Sequence, residues 1–508
     1  MGRKILFITT DQQRWDSLGC NGGTIARTPV ADRLAAAGLN YRRAHNQNVV
    51  CMPARSTMIT GQYVRTHGVF ANGVPLPADA PSVAAWLQEK ARYRTALVGK
   101  AHFEPALDPT FRWFENRMAR EDSTGPYRGF EHMELAMHGY AFGRYHYDRW
   151  LEAHFPGEEK GFYRLFTRAG MNHKGGGDTG APQVARNPIA KEHYHTDWVA
   201  ERTIAWLDSL APDDDWFVWM SFPDPHHPWD PPAEAARRIP WRELDLPPGH
   251  PGSHEKIVDI LSGKPRHWLD WYEGRFDNVE GGPQQFVPCR MTHDQVREIN
   301  ALVHVENELI DEACGRVLRR IAERGWDADT DVFFTTDHGE LQGDFGLMFK
   351  GPYHTDSLMR LPFIWRPAPS AGVAPAAIEE PVGHVDLAPT FCRIAGVPVP
   401  DWMQGAPLPT APGSGRERVI TEWDSQFTHV DMHLRSIHRD RWTCTAYERG
   451  ALYDGTEGEL YDVREDPLQW HNLWNDPTYR QLRSDLLADL YDHLPPERTP
   501  KLKVEAPA

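Results

Sequence analysis

Four short apolar runs, each followed directly by polar residues, constrain the fold more than any other feature of the sequence. They cover residues 4–10, 95–98, 216–222 and 331–336. The runs are continuously apolar rather than alternating, which indicates strands that are buried on both faces. Helical patterns lie between them, at residues 28–38 and 293–324. The alternation predicts an α/β fold with a doubly wound, mostly parallel sheet flanked by helices.

The residues that follow these runs have side chains that can bind metal ions or anions, or transfer protons. They are Asp11 and Gln12, Lys100 and His102, His226 and His227, and Asp337 and His338, in the order of the four runs. In doubly wound sheets, ligands bind beyond the carboxyl ends of the strands. The sequence therefore predicts one shared site at this edge of the sheet.

The 508 residues exceed the usual size of one domain, which predicts a large domain and a small one. We expect the catalytic domain at residues 1–415, with insertions at about 105–190 and 237–291 that carry substrate selection. A Pro- and Gly-rich linker at 407–415 precedes a C-terminal α+β subdomain at 416–508, expected to be a small antiparallel sheet with one helix at 479–493. Residues 367–381, rich in Ala and Pro, are predicted to be a surface loop.

Charge and composition exclude several classes of protein. A net charge of -16 disfavours non-specific nucleic-acid binding, which needs a basic face. No run of 18 apolar residues occurs, so no membrane span or membrane partner is expected. The first residues lack the pattern of an export signal, and the six cysteines show no C-x-x-C pair. We expect a cytoplasmic protein with reduced thiols.

The segment CMPARSTMITG, residues 51–61, is the most informative motif. It reads C-x-P-x-R followed by S-T-x-x-T-G, and with the strand-end residues it resembles the type I sulfatases of the alkaline phosphatase superfamily. Further matching elements are Thr66-His67-Gly68, Asn72-Gly73, Pro225-His226-His227-Pro228, Lys350 and Glu459-Leu460-Tyr461-Asp462. The resemblance implies an alkaline-phosphatase-like fold. It also implies that a formylglycine-generating enzyme, as a transient partner, oxidises Cys51 to formylglycine.

An aldehyde at position 51 would suit the chemistry of a sulfate ester. Its hydrate offers one oxygen to attack sulfur, and a second oxygen that expels the sulfate as the aldehyde reforms, so one hard step becomes two. A thiol could attack but could not eject the sulfate in this way. The diol needs a divalent cation to lose its proton near neutral pH. The charge on the sulfuryl oxygens needs fixed cations, and the leaving oxygen needs a proton donor.

The resemblance implies a metal site formed by Asp11, Gln12, Cys51, Asp337 and His338. Oxygen ligands favour Ca²⁺, the expected ion, or Mg²⁺, whereas the imidazole favours Mn²⁺. Gln12 and His338 depart from the commonest family pattern, which has Asp and Asn there, so the site carries less negative charge. For Asp11 and Asp337 the alternative is a helix-capping or turn aspartate.

The resemblance also assigns roles to the remaining candidates. Arg55 lies one helical turn after Cys51 and would hold the nucleophile's oxygen. Lys100 and Lys350 would bind the sulfate, and Lys100 would also contact the formylglycine. His102 would take a proton from the sulfated diol, and His226 would bind the ester oxygen and protonate the leaving group, with His227 as the competing choice. Asn72 would line the substrate pocket.

Three functions stay open at this point. The first is hydrolysis of a small-molecule sulfate monoester, as in an arylsulfatase. The second is hydrolysis of a phosphonate monoester or a phosphodiester by the same nucleophile; Gln12 and His338 fit that branch, whereas the Lys100-x-His102 pair argues against it. The third is a catalytically silent binding protein in which Cys51 stays a thiol. The insertions and the C-terminal tail could form the interface of a homo-oligomer.

Overall fold

The structure is a computed structural model that describes residues 2–506, except 107, 109, 168–169, 173, 277–285 and 426–429. Its strands are β1 Lys4–Thr10, β2 Leu39–Tyr41, β3 Ala44–His45, β4 Arg94–Gly99, β5 His132–Leu135, β6 Phe166–Thr167, β7 Gly170–Met171, β8 Gly175–Gly176, β9 Ala181–Pro182, β10 Trp216–Ser221, β11 Thr330–Thr336, β12 Phe363–Arg366, β13 Ala376–Ile378, β14 Val382–Gly383, β15 Arg418–Asp424, β16 His433–Arg439, β17 Trp442–Tyr447 and β18 Gly458–Asp462. Its α-helices are α1 Pro29–Ala36, α2 Cys51–Thr60, α3 Val64–His67, α4 Val83–Ala91, α5 Phe114–Arg117, α6 His146–His154, α7 His195–Asp208, α8 His254–Ser262, α9 His267–Tyr272, α10 His293–Glu323, α11 Asp356–Met359, α12 Leu387–Ile394 and α13 Arg480–Asp492.

An eight-stranded sheet forms the centre of the molecule, in the order β13-β2-β12-β11-β1-β10-β4-β5. The strands β11, β1, β10, β4 and β5 pair in parallel, whereas β12 pairs antiparallel with both β11 and β2. The prediction of a mostly parallel α/β sheet is therefore confirmed. The prediction of a plain surface loop at 367–381 is wrong, because β13 lies within it and pairs in parallel with β2.

The central strands are buried because each contributes to two cores. In β1, Ile5 and Phe7 pack into the core on one face, and Leu6 and Ile8 pack into the core on the other. Successive side chains of a strand point to opposite faces, so a strand covered by helices on both sides must be apolar at every position. This explains the continuous apolar runs of the sequence.

A separate antiparallel sheet, β15-β16-β17-β18, follows the main sheet in the chain. Helix α13 packs on it, with Leu486 and Leu490 buried against Ile437 and Cys444. A second apolar cluster joins this sheet to the rest of the molecule, since Trp423 and Leu434 belong to the same cluster as Val49. The expected α+β C-terminal subdomain is present, and its boundary at 415/416 stays a prediction. Parts of both expected insertions lie outside the described residues.

None of the helices in the described part of the chain is long and apolar enough to cross a membrane. The six cysteines form no disulfide, and four of them are buried: Cys51, Cys314, Cys392 and Cys444.

Candidate active site

The register of the central strands brings their carboxyl ends to one place. Thr10 pairs with Thr336, so the residues that follow, Asp11 and Asp337, leave adjacent strands side by side. Ser221 of β10 pairs with Gly99 of β4. Lys100, which follows Gly99, therefore enters the same edge of the sheet, as the sequence predicts.

The turn after β4 depends on a glycine. Gly99 has φ +107°, and a Cβ atom there would lie 1.8 Å from the backbone oxygen of Ser221. That oxygen accepts a hydrogen bond from the Lys100 backbone N–H at 2.9 Å. Two site residues other than glycine also adopt a left-handed conformation, Gln12 at φ 66° and His102 at φ 58°. Such conformations cost free energy and are concentrated at functional sites.

Cys51 is the first residue of helix α2, whose ten residues are all buried. The side-chain oxygens of two asparagines accept hydrogen bonds from backbone N–H groups at this helix start, Asn48 from Val50 and Asn72 from Met52, both at 3.0 Å. Asn72, which was expected to line the pocket, thus contacts the backbone next to Cys51 and helps to fix the position of the thiol. The helix N-terminus also carries a partial positive charge that favours an anion there.

Asp11, Cys51, Asp337 and His338 form a buried cluster in which one ligand atom of each lies within 4.8 Å of the others. The Cys51 Sγ lies 3.2 Å from His338 Nε2 and 3.8 Å from Asp11 Oδ1. His338 Nδ1 bonds the Gly339 carbonyl at 2.9 Å, which leaves Nε2 to face the cluster. Two carboxylates and an oriented imidazole are a donor set that fits a divalent cation. Gln12 adds an amide oxygen at the edge of the cluster, since its Oε1 accepts a hydrogen bond from Lys350 at 2.7 Å.

Buried cations surround the two carboxylates. Arg55 donates to Asp337 Oδ2 at 2.8 Å and to Asp11 Oδ2 at 3.4 Å, and it also bonds the Lys100 carbonyl at 2.8 Å. The Lys100 ammonium contacts Asp11 Oδ2 directly. Burial raises the pKa of Asp11, but Lys100, Arg55 and Lys350 outweigh it and hold that pKa well below its usual range. The carboxylate is therefore ionised and available to a metal.

The Lys350 ammonium contacts the thiol and two histidines of the site. Its Nζ lies 3.3 Å from Cys51 Sγ, 3.2 Å from His338 Nε2 and 2.8 Å from His226 Nε2. Burial and Asp11 raise the pKa of the Cys51 thiol, but Lys100, Lys350 and His338 lower it by more. The net fall means that these residues stabilise negative charge at the position of the Cys51 side-chain atom.

Three imidazole rings stack beside Lys350. The rings of His138 and His226 are 4.0 Å apart, and those of His226 and His227 are 4.1 Å apart. His226 Nδ1 contacts the His227 carbonyl, and His227 Nδ1 contacts Gln183 Oε1. His226 thus directs its Nε2 at the cluster, whereas His227 is held by Gln183. The geometry favours His226 over its competitor as the residue that faces the site.

His226 and His102 are neutral in this arrangement. Burial lowers the pKa of His226 well below its usual value, and His138 and Lys350 add to the effect. Burial, Lys100 and Arg55 do the same for His102. Neither ring nitrogen of His102 has a hydrogen-bond partner among the described residues, so the ring is free to act as a proton acceptor.

The sequence reasoning missed two residues of the site. Glu340 bonds Gln12 Nε2 and the backbone N–H of Gln342, and burial raises its pKa to about 7. Its place two residues after His338 was a signal that could have found it. His138 gave no such signal, because it lies in the first insertion and reaches the site only through the fold.

The family model described as Sulfatase matches residues 3–397. The chain belongs to the sulfatase family. A second model, described as N-sulphoglucosamine sulphohydrolase, C-terminal, matches residues 343–494. The resemblance carried by residues 51–61 is confirmed, and the chain is an enzyme of the sulfuric ester hydrolase class.

Relatives match along almost the whole chain. The uncharacterized sulfatase YidJ of Escherichia coli is 25% identical, with 97% of this chain and 88% of that protein covered. An arylsulfatase of Clostridium perfringens is 25% identical, with 96% of this chain and 95% of that protein covered. Among solved structures, a phosphonate monoester hydrolase of Agrobacterium radiobacter superimposes with a TM-score of 0.76 at 23% identity, covering 96% of this chain and 95% of that chain. The last likeness shows that the fold is shared.

Proposed function

We propose that this sulfatase-family enzyme hydrolyses a sulfate monoester, with an aryl sulfate as the representative substrate, through a formylglycine made from Cys51. The observation that carries the proposal is the position of Cys51. Its side chain lies at a buried helix start, between the metal-type ligands Asp11, Asp337 and His338 and the ammonium of Lys350. A simple structural cysteine would not need two carboxylates and two ammonium groups around it.

The aldehyde hydrate would supply the attacking oxygen and would later release sulfate by reforming the aldehyde, with overall conversion of ester and water to alcohol and hydrogensulfate. A divalent cation held by Asp11, Gln12, Asp337 and His338 would lower the pKa of that oxygen. The chain's own cations bind the substrate. Lys350 contacts Cys51 Sγ and Lys100 contacts the neighbouring Asp11, so both ammonium groups can neutralise the sulfuryl oxygens as preorganised charge.

Proton transfer in the proposal involves Lys350 and two histidines of the site. His226 Nε2 is already hydrogen-bonded to the Lys350 ammonium at 2.8 Å. Because the neutral His226 accepts at Nε2, the proton for a leaving oxygen bound between the two groups would come from the Lys350 ammonium, which His226 orients, as the S–O bond breaks. His102, neutral and without a bonded partner among the described residues, would accept the proton of the second hydrate oxygen.

Oxidation of Cys51 would have to precede folding in this proposal. Every residue of helix α2 is buried, including Pro53 and Arg55, which by the family resemblance would serve recognition by the formylglycine-generating enzyme. A modifying enzyme needs an extended, accessible segment, so the transient partner would act on the unfolded chain. The homo-oligomer and the cytoplasmic location predicted from the sequence stay predictions.

Peptide mass spectrometry and kinetics test the proposal together. The peptide that contains residue 51 is expected to be about 18 Da lighter than the cysteine form, or unchanged in mass when hydrated. The converted enzyme should hydrolyse an aryl sulfate, and the Cys51→Ala variant is the matched control. A peptide from an active preparation whose residue 51 is still fully alkylated by a thiol reagent, which the aldehyde and its hydrate resist, would reject the formylglycine. Full conversion with no activity on any sulfate ester would reject the substrate class.

Hydrolysis of a phosphonate monoester or phosphodiester is the second candidate. The structural likeness to the Agrobacterium phosphonate monoester hydrolase supports this candidate. Gln12 and His338 support it as well, because they stand where the commonest sulfatase pattern has Asp and Asn. Phosphodiesters and sulfate monoesters are both monoanions, so the same cations can bind either. The ratio of kcat/KM for an aryl sulfate to that for an aryl phosphonate monoester ranks the two functions.

A further inference from the structure

A second group of metal-ligating side chains lies away from the Cys51 site. It consists of His45 at the end of β3, Asp356 at the start of α11, and His438 on β16. One ligand atom of each lies within 4.8 Å of the others. The two imidazole rings stack with centroids 3.9 Å apart, and His45 Nε2 lies 3.9 Å from Asp356 Oδ1. The group shares no residue with the catalytic cluster.

Both rings are oriented by contacts on their other nitrogen. His45 Nδ1 bonds the Arg43 carbonyl at 3.2 Å, and His438 Nδ1 bonds Thr443 Oγ1 at 3.1 Å. A hydrogen bond that fixes one ring nitrogen and leaves the other free is the usual support of a metal-bound histidine. The arrangement therefore leaves the Nε2 atom of each ring available to a metal ion, and His45 Nε2 already lies beside the Asp356 carboxylate.

Two atoms of the group lack a partner. His438 is 1% exposed, and its Nε2 has no hydrogen-bond partner among the described residues. The buried Asp356 Oδ1 has none either, although Arg360 lies 3.8 Å from the other oxygen of that carboxylate. Buried polar atoms are nearly always paired, so an unpaired imidazole nitrogen and an unpaired carboxylate oxygen, in a group whose ligand atoms lie within 4.8 Å of one another, indicate a missing ligand.

We propose that His45, Asp356 and His438 bind a divalent transition-metal ion, Zn²⁺ by preference, through His45 Nε2, His438 Nε2 and Asp356 Oδ1. Two imidazoles and one carboxylate form a common three-ligand set for zinc, with water in the fourth position. Zinc bonds of about 2.0–2.1 Å require the ligand atoms to lie about 3.4 Å apart, which small rotations of the rings can provide. Arg43 and Arg360 place positive charge near the proposed ion. Glu379 interacts electrostatically with both arginines and partly neutralises that charge.

The proposed ion has a structural task. Two of its ligands come from segments beside the main sheet, and His438 comes from the C-terminal four-stranded sheet. An ion at this place would connect the C-terminal sheet to the segments beside the main sheet. It would stabilise only the folded chain, because the three residues meet only there. Its binding does not depend on the reaction catalysed at Cys51.

Metal analysis of the full-length protein tests the proposal. The metal-free protein is incubated with Zn²⁺, excess ion is removed, and bound zinc per chain is measured. His438→Asn and His45→Gln are each expected to bind one ion fewer than wild type, and to show a smaller rise of Tm with Zn²⁺. His471→Asn, which changes an exposed histidine in the C-terminal part of the chain, is the matched control and should bind as wild type.

A spectroscopic measurement covers the case in which these variants do not fold. A double variant, Cys51→Ala with His338→Ala, removes the thiol and the imidazole from the catalytic cluster and leaves the second group intact. With Co²⁺ in place of Zn²⁺, this variant should show the visible absorption bands of a four-coordinate cobalt site. Equal zinc content in wild type, His438→Asn and His45→Gln, or the absence of these cobalt bands, would overturn the proposal.

Discussion

Gly99→Ala is expected to damage both stability and catalysis, for reasons that can be separated. A residue other than glycine at φ +107° costs about 1–2 kcal/mol in backbone strain. The added Cβ would also lie 1.8 Å from the Ser221 backbone oxygen, far inside van der Waals contact, so β4 and β10 must move apart. Forcing a group into a packed interior costs about 1–3 kcal/mol more. The total is about 2–5 kcal/mol.

The catalytic effect should follow from the same displacement. The Ser221 oxygen accepts the Lys100 N–H bond, and the Ser221 hydroxyl accepts a bond from Arg55 at 2.9 Å, so two site cations shift together. A displacement of about 1 Å at a catalytic group can cost about 100-fold in rate.

Gly157→Ala is the control for this prediction. Gly157 has φ +105°, nearly the same backbone conformation, but nothing lies within 4 Å of its Cβ position. It should lose only the strain energy and keep wild-type kcat/KM. Urea unfolding and kcat/KM on an aryl sulfate measure the two effects. Equal losses of stability in both variants, with unchanged activity, would refute the argument that close contact at Gly99 positions Lys100.

Four further predictions follow from the site and its surroundings. Cys51→Ala should abolish turnover yet keep a folded chain by circular dichroism, and wild-type turnover would remove Cys51 as the nucleophile. His226→Ala should reduce kcat/KM more for esters with basic leaving groups than for nitrophenyl sulfates, and an equal loss on both would remove His226 from leaving-group protonation. Arg55→Met breaks a fully buried pair, so unfolding free energy should fall by about 3–5 kcal/mol; a change below about 1 kcal/mol would contradict this. Burial raises the pKa of Glu134, but His132 and Arg202 lower it to about 2, so its stabilising contribution is complete above pH 4.5 and is lost as pH falls toward 2. Because Arg202 is partly exposed, Glu134→Gln should cost only about 1 kcal/mol at pH 7. Denaturation should show that deficit shrinking as the pH falls; a deficit that stays constant down to pH 2 would rule out the pair as its source.

The sequence predicted the centre of the fold better than its edges. Both faces of the central strands are covered, so the strands are mostly apolar and the runs can be recognised in the sequence alone; these strands are β1, β4, β10 and β11. The edge strand β13 has three residues, two of them partly or fully exposed, in a segment rich in Pro and Ala. It is a strand only because β2 offers it hydrogen-bonding groups. Such a partner, distant in sequence, leaves no local periodicity to find.

The same distinction separates the predicted site residues from the missed ones. Asp11, Lys100 and Asp337 were found because strand ends at one edge of a sheet must meet. The pocket-lining role of Asn72 stays a prediction, and its contact with the backbone of Met52 is a detail set by side-chain packing. His138 reaches His226 through a long insertion, where neither motif nor spacing restricts where a side chain ends up.

The charges at the site favour the binding of an anionic ester to the proposed formylglycine form of the enzyme. In the thiolate form, the cations Arg55, Lys100 and Lys350 face the anions of Asp11, Asp337 and Cys51, so the buried charge is nearly balanced. An aldehyde at position 51 is neutral and removes one of those anions, and a bound divalent cation adds two positive charges. The resulting excess of buried positive charge is costly unless an anion enters, because desolvated charge must be paired. The conversion of Cys51 would therefore both create the nucleophile and increase the affinity for a sulfate or phosphonate ester.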